Sequence, residues 1–404
     1  MVAVIAVAGL LVAGCSSGQA ATAGGAGVSG EPVKIGVIAP VNASISYPDV
    51  PAAAKAAARS LNAKGGINGR PIEIVYCNDR FEANQAAACA RQLVGEGVVA
   101  TAGNFTAVGQ ANVLGVFGAA DIASVGVFDA GPAGTDAHSF VFQGSVPLNN
   151  AGQAKYAAQS AKRVALVFSE QQSATPGIAL SQRIIESAGG TITSIVRTPN
   201  TGDLSPQASA TVAGNPDAVI LNGAQAAIGI VMKNMVQLGF KGKFFVGGTA
   251  IDEPFMKTLG PIAAQVNVSA AYPPASQAAS IPGLKLMLDD MAAEKAAGDA
   301  DAPTTTNFVR DPAMTAWLAV YAIAKVANDS KATDAKGIFA ALNSAKDLDF
   351  GGAMAPWTPS KSVVSQLPRN SNPNRYFFEW GNGAPTLEPG QPTEVGTLLG
   401  KYLT

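Results

Sequence analysis

The sequence predicts an α/β protein of two lobes, each built on a parallel sheet, and three observations carry that expectation. The chain has 404 residues, more than one core usually holds, which favours two domains of roughly 150 to 200 residues each. Short apolar runs alternate with Ala-rich stretches of helical period, the rhythm of parallel strands covered on both faces. The same order of elements then recurs, so the second set of elements nearly copies the first.

The first set opens with a strand at Lys34–Ile38, a turn-rich loop from Pro40 to Pro48 and a long helix from about Val50 to Ala63. Lys64-Gly65-Gly66 supplies a basic last turn and a helix stop. A strand at Pro71–Tyr76 follows, then a helix at Asn84–Val94 with Ala86, Cys89, Ala90, Leu93 and Val94 on one face. A strand at Val98–Ala102, a helix near Ala107–Ala119 and a strand at Ile122–Val127 lead to a chain crossing near Val141–Pro147. The second set reads helix Asn150–Ser160, strand Arg163–Phe168, helix Ile178–Ala188 and strand Thr191–Arg197. It continues with helix Ser205–Ala213, strand Ala218–Asn222, helix Ala226–Leu238 and strand Lys243–Val246. Three further helices, Ile281–Ala297, Pro312–Asn328 and Lys336–Ala345, precede a late strand at Tyr376–Trp380.

Composition narrows the class. Charged residues make up 14% of the chain against a typical ~25%, and 27 Lys plus Arg nearly cancel 28 Asp plus Glu. No basic patch argues for nucleic acid. A hydrophobic share of 48%, with 44 Gly and 25 Pro, fits a folded chain with a sizeable core.

Met1 to Gly14 is almost uniformly apolar and ends in Val12-Ala13-Gly14-Cys15. It is too short to span a bilayer, which needs about 20 apolar residues. It reads as a signal peptide (1–15) with a lipoprotein cleavage site, Cys15 becoming the lipidated first residue; the alternative is a buried N-terminal helix. No Lys or Arg precedes the apolar run, so the start of the signal is expected upstream of Met1. Residues 16–32 are nearly all Gly, Ala, Ser and Thr, a flexible tether by composition. Gly25-Ala26-Gly27-Val28-Ser29-Gly30 spells a dinucleotide fingerprint but precedes the first strand, so it is set aside. With Cys15 assigned to the lipid, Cys77 and Cys89 remain, spaced too widely for a CxxC motif and without partners for zinc. An exported chain permits them to form a disulfide; the alternative is two buried thiols.

Leu61-Asn62-Ala63-Lys64-Gly65-Gly66-Ile67-Asn68-Gly69-Arg70-Pro71-Ile72 resembles the leucine/isoleucine/valine-binding family of periplasmic proteins, the type I solute-binding fold. Further segments in the same order support it: Cys77-Asn78-Asp79, Gly103-Asn104-Phe105-Thr106, Ala188-Gly189-Gly190, Gly202-Asp203-Leu204 and Asn215-Pro216-Asp217-Ala218-Val219. The resemblance covers roughly Val33 to Thr404. It implies two Rossmann-like lobes joined by a hinge of three crossings, placed here at 33–145 plus 275–355 (lobe one) and 146–274 plus 356–404 (lobe two). It also implies a small-molecule ligand, no cofactor or metal, a monomer that works by hinge closure, and an ABC importer as partner. The location expected is extracytoplasmic, either periplasmic or lipid-anchored to the outer face of the cytoplasmic membrane. A ligand sensor of the same fold acting on a signalling partner is the alternative.

Ligands of open parallel sheets bind beyond the carboxyl ends of strands, which selects the candidate residues. Asn104, Phe105 and Thr106 are placed at the start of a helix, whose free N–H groups stabilise a carboxylate. In the family this loop carries a hydroxyl for the ligand carboxylate, and Thr106 is the nearest hydroxyl. Gly126, Val127 and Phe128 follow a lobe-one strand, Tyr47 sits after the first strand, Gln172 and Ser173 follow the first lobe-two strand, and Gln225 and Thr249 end later ones. Catalysis has little support: His138 is the single histidine, read as a solvent-exposed loop residue, and no GxSxG or P-loop spelling occurs. Asp289-Asp290 reads as solvated surface. Amino-acid binders of the family hold the ammonium with a hydroxyl and a lobe-two carboxylate. Here Phe128 stands near the expected hydroxyl, and no acid precedes Asp252 at the lobe-two strand end. The ligand expected is therefore a small carboxylate or amide with an apolar body on Phe105, Phe128 and Tyr47, with a branched-chain amino acid as competitor unless Asp129 or Asp252 turns inward.

Overall fold

Two sheets organise the chain in the computed structural model, which describes residues 27–143, 145–171 and 174–402. The first is parallel, in the order β2-β1-β3-β4-β5, from β1 (Val33–Ile38), β2 (Ile72–Cys77), β3 (Ala100–Ala102), β4 (Ala123–Val125) and β5 (Ser139–Phe140). Its helices include α1 (Asp49–Asn62), α2 (Ala83–Gly95) and α3 (Gln110–Gly118). The run of buried alanines in α1, Ala52, Ala53, Ala54, Ala56, Ala57 and Ala58, has no bulk to keep a neighbour away. The long α10 (Asp311–Ser330), likewise rich in buried alanine, packs along it.

The chain then leaves for the second unit through α4 (Val146–Ser160), β6 (Arg163–Ser169), α5 (Thr175–Ser187), β7 (Thr191–Thr198), α6 (Ser205–Ala213), β8 (Ala218–Asn222), α7 (Gln225–Gln237), β9 (Lys243–Gly247), α8 (Glu253–Leu259) and β10 (Val266–Ala270). It returns to the first unit with α9 (Pro282–Ala296), α10 and α11 (Ala335–Ser344), and finishes in the second with β11 (Asn374–Gly381), β12 (Ala384–Leu387), β13 (Thr393–Glu394) and α12 (Gly396–Tyr402). The second sheet runs β12-β11-β10-β9-β8-β6-β7.

β10 and β11 pair antiparallel, as do β11 and β12, so this sheet is mixed where the sequence suggested purely parallel strands. Asn382 and Gly383 both take positive φ, 52° and 80°, forming the two-residue hairpin turn that Asn-Gly favours. Such a turn can only join antiparallel neighbours.

The three passages between units lie side by side. Val141 N–H donates to Arg369 O and Ser371 N–H to Val141 O, and Asn372 Nδ2 donates to Phe142 O at 2.8 Å. Thr315 Oγ1 bonds Tyr272 OH at 2.7 Å and Gln143 Oε1 at 2.8 Å. Fully buried Arg375 reaches across to Gln143 O (2.8 Å) and Asn149 Oδ1 (2.5 Å). Tyr272 and Trp357 pack in the first core, Leu148 and Leu367 in one of the second unit.

Cys77 and Cys89 form a disulfide, Cα–Cα 5.5 Å, tying the end of β2 to α2. Within residues 16–32, those from 28 on lie against the turn before β2: Ser29 N–H donates to Gly69 O and Arg70 Nε to Glu31 O. Cys15 and the apolar leader lie outside the described residues. Among the described residues, no helix is long and apolar enough to cross a membrane.

Candidate functional site

Between the units lies a cavity of about 160 Å³, close to the roughly 150 Å³ that accommodates a benzene-sized guest in an apolar protein cavity. Its first-unit wall is built on loops at strand ends. Gly103, after β3, has φ +62° and stands where a Cβ would meet the Ala316 backbone at 2.4 Å. That close approach seats the loop on α10. Asn104 Oδ1 accepts from Ile38 N–H at 2.8 Å and its Nδ2 donates to Thr101 Oγ1 at 2.8 Å, stapling β1 to β3. Phe105 is thereby presented to the cleft. Gln110 bridges this loop to the next, donating to Phe128 O at 2.5 Å and Thr106 O at 3.2 Å.

Three aromatic rings form one face. Tyr47 and Phe105 have ring centroids 4.1 Å apart, and Phe105 and Phe128 stack at 4.3 Å. Burial pushes the Tyr47 hydroxyl up to about 12, and it donates across the cleft to Thr249 O at 3.0 Å. Behind the Tyr47 ring lies the Arg310 guanidinium, 4.6 Å from its centroid. Arg310 pairs with Asp49 and faces Asp252 Oδ2 of the second unit at 3.9 Å.

The second-unit wall contributes Asn149, Asn150, Ser169, Gln171, Asn222 and Thr249. Asn222 Nδ2 donates to Asn150 Oδ1 (3.1 Å) and Gln153 Oε1 (2.8 Å). α5 and α7 begin at this wall, and Ala174 and Ala224 at their caps have no side-chain oxygen to accept from the first turn. Among the described residues, no charged side chain lines the cavity. Neither of the two carboxylates that an ammonium would need lines the cavity. Asp252 Oδ1 caps α8, accepting from Phe255 N–H at 2.7 Å. Asp129 is fully buried and accepts from Gly131 N–H at 2.8 Å, and burial pushes its carboxyl up to about 6.

Of the sequence candidates, Tyr47, Phe105, Phe128 and Thr249 line the cavity. Asn104, Thr106, Gly126, Val127 and Gln225 do not. Gly126 lies under Thr315 and Phe142, Val127 packs with Leu114 and Val141, and Thr106 is fully buried with no partner for its hydroxyl. Thr106 does not open a helix: Gly109, at φ +70°, delays the start of α3 to Gln110. Gln172 and Ser173 lie outside the described residues. His138 is half-buried rather than solvent-exposed, stacked on Phe339 at 4.4 Å with Asp121 3.6 Å away. Asp290 is also no surface residue. It is buried and accepts from Trp317 Nε1 (2.9 Å) and Tyr321 OH (2.8 Å), because its helix face turns toward α10. No group of acidic, Cys and His residues among those described could hold a metal ion. Asn150, Ser169 and Asn222 escaped the sequence reading. Ser169 and Asn222 end strands, so the strand-end rule itself could have found them.

The chain matches the periplasmic binding protein family over residues 32–367. A leucine-binding protein from Thermotoga maritima shares the fold with TM-score 0.72 and 20% identity, covering 88% of this chain and 97% of that one. An ABC transporter solute-binding protein from R. palustris, in complex with 4-hydroxybenzoate, gives TM-score 0.74 at 18% identity over 91% and 98%. A fatty acid ABC transporter substrate-binding protein from Thermomonospora curvata gives 0.73 at 14% over 92% and 95%. No curated protein matches the sequence.

Proposed function

From the premise that the chain belongs to the periplasmic binding protein family, we propose that it is the solute-binding component of an ABC importer, lipid-anchored outside the cytoplasm through Cys15. Its ligand is a small molecule with an apolar body and no ammonium group, a carboxylate or amide. One observation carries this reading: the interlobe cavity is walled by Tyr47, Phe105 and Phe128 and, among the described residues, lined by no charged side chain. An ammonium buried there would lack a carboxylate partner, a cost of several kcal/mol. The fold hosts ligands of this kind elsewhere, since relatives are described with 4-hydroxybenzoate and as fatty acid binders.

Titration calorimetry with leucine, isoleucine and valine beside aromatic and aliphatic acids tests the ligand. Binding of an acid at micromolar Kd, about 8 kcal/mol, with none of the amino acids bound is the expected result; micromolar binding of any of the three amino acids would overturn it. The anchor is tested by Cys15→Ser, which is expected to release the protein from the membrane or leave it unprocessed. Normal membrane retention of that variant refutes the anchor.

A further inference from the structure

The polarity of the cleft is divided between its walls. Every first-unit lining residue is apolar or aromatic: Ile45, Tyr47, Phe81, Phe105 and Phe128, with Ala107 and Ala130 between them. The one hydroxyl among these, on Tyr47, is already spent on Thr249 O. The backbone donors of Phe105, Phe128 and Ala130 are spent as well, Phe105 N–H on Ile38 O and Phe128 N–H on Asn104 O, and Ala130 N–H on Gln110 Oε1. All the side-chain amides at the cavity belong to the opposite wall.

One of those amides is incomplete. Asn150 is 2% exposed, lines the cavity, and its Nδ2 has no hydrogen-bond partner. Its Oδ1 accepts from Asn222 Nδ2, which fixes the amide so that both N–H groups remain unused. A buried donor left unmade is costly and calls for an acceptor. Nδ2 sits against Gly177 in the first turn of α5, beside the start of that helix, where the Ala174 side chain offers no cap and a negative charge is stabilised. Two independent features therefore ask for an acceptor at one place.

We propose that the ligand is an amphiphile bound head to lobe two: its carboxylate is read by Asn150 Nδ2 and the N-terminus of α5, and its apolar body lies on the Tyr47–Phe105–Phe128 face of lobe one. The inference rests on the reading of the ligand given above and adds the orientation and the residue that selects the head. Asn150 acts as a specificity residue, separating an acid from the neutral amide of the same body.

The test is calorimetry of the full chain, wild type and Asn150→Asp, with 4-hydroxybenzoate, hexanoate, their primary amides and leucine. A carboxylate at position 150 repels the acid head and not the amide. The expected result is a loss of at least about tenfold in affinity for the acid that binds, with the matching amide changed by less than about threefold. Should Asn150→Asp fail to fold, Ala174→Asp serves, since Asp is a favourable N-cap and puts the same charge at the head site. Equal weakening of acid and amide, or no weakening of the acid, overturns the orientation while leaving the ligand reading intact. Leucine binding with no acid bound overturns the ligand reading, and this inference with it.

Discussion

Tyr47 holds two positions at once: its ring closes one end of the aromatic face and its hydroxyl crosses to Thr249 O. The second contact exists only while the lobes are together. Tyr47→Phe keeps the ring and removes the crossing bond, worth about 0.5 to 1.5 kcal/mol, so ligand affinity is expected to fall roughly 2- to 12-fold with thermal stability of the ligand-free protein unchanged. Unaltered affinity by calorimetry would sink the assignment. A second residue-scale effect concerns Asp79, fully buried after β2 with Oδ2 unpartnered. Burial pushes its carboxyl up to about 6, above the ordinary value of about 3.9. The folded state thus keeps this proton to higher pH than the unfolded chain, and the stability it contributes is full below about pH 4 and lost between about 4 and 6. Asp79→Asn retains an acceptor for Phe81 N–H, now bonded to Asp79 Oδ1, and removes the titration. Urea unfolding from pH 4.5 to 6.5 should show a shallower fall in the variant than in wild type; parallel profiles would contradict this.

At the scale of elements, apolar periodicity served well and loop geometry did not. α1, α2 and the strands β1 to β4, β6 to β9 and β11 fall within a few residues of their expected places, because their burial follows directly from the order of apolar side chains. α3 starts late because Gly109 turns left-handed ahead of it, which removed the helix N-terminus expected at Thr106. The Asn382-Gly383 turn was legible as a hairpin signal, yet β12 was not anticipated, nor was β10, whose run Val266–Ala270 is interrupted by Asn267 and Ser269. The disulfide joins β2 to α2 and closes a short loop, so Cys77→Ala with Cys89→Ala is expected to lower the free energy of unfolding by about 2 to 3 kcal/mol. A midpoint equal to wild type under urea would show that packing alone holds α2 in place.

At the scale of the whole molecule, three adjacent passages are joined by Val141, Asn372 and Arg375 contacts, and the proposed closure would turn the lobes about them with little internal change. Small-angle scattering should give a smaller radius of gyration with a bound acid than without; an unchanged radius at saturation would rule against closure. By itself the sequence determined the α/β class, the doubled element order and the aromatic residues Tyr47, Phe105 and Phe128, because strand and helix periods and strand-end positions are local properties of the chain. Only the tertiary structure decided which strand-end residues line the cavity. Asn104, Gly126 and Val127 are drawn into packing by α10, β1 and a small apolar cluster, whereas Asn150 is brought to the cavity from a helix by the first passage between lobes. Whether a polar side chain meets a neighbour or a ligand depends on elements far away in sequence, and no local pattern encodes that choice.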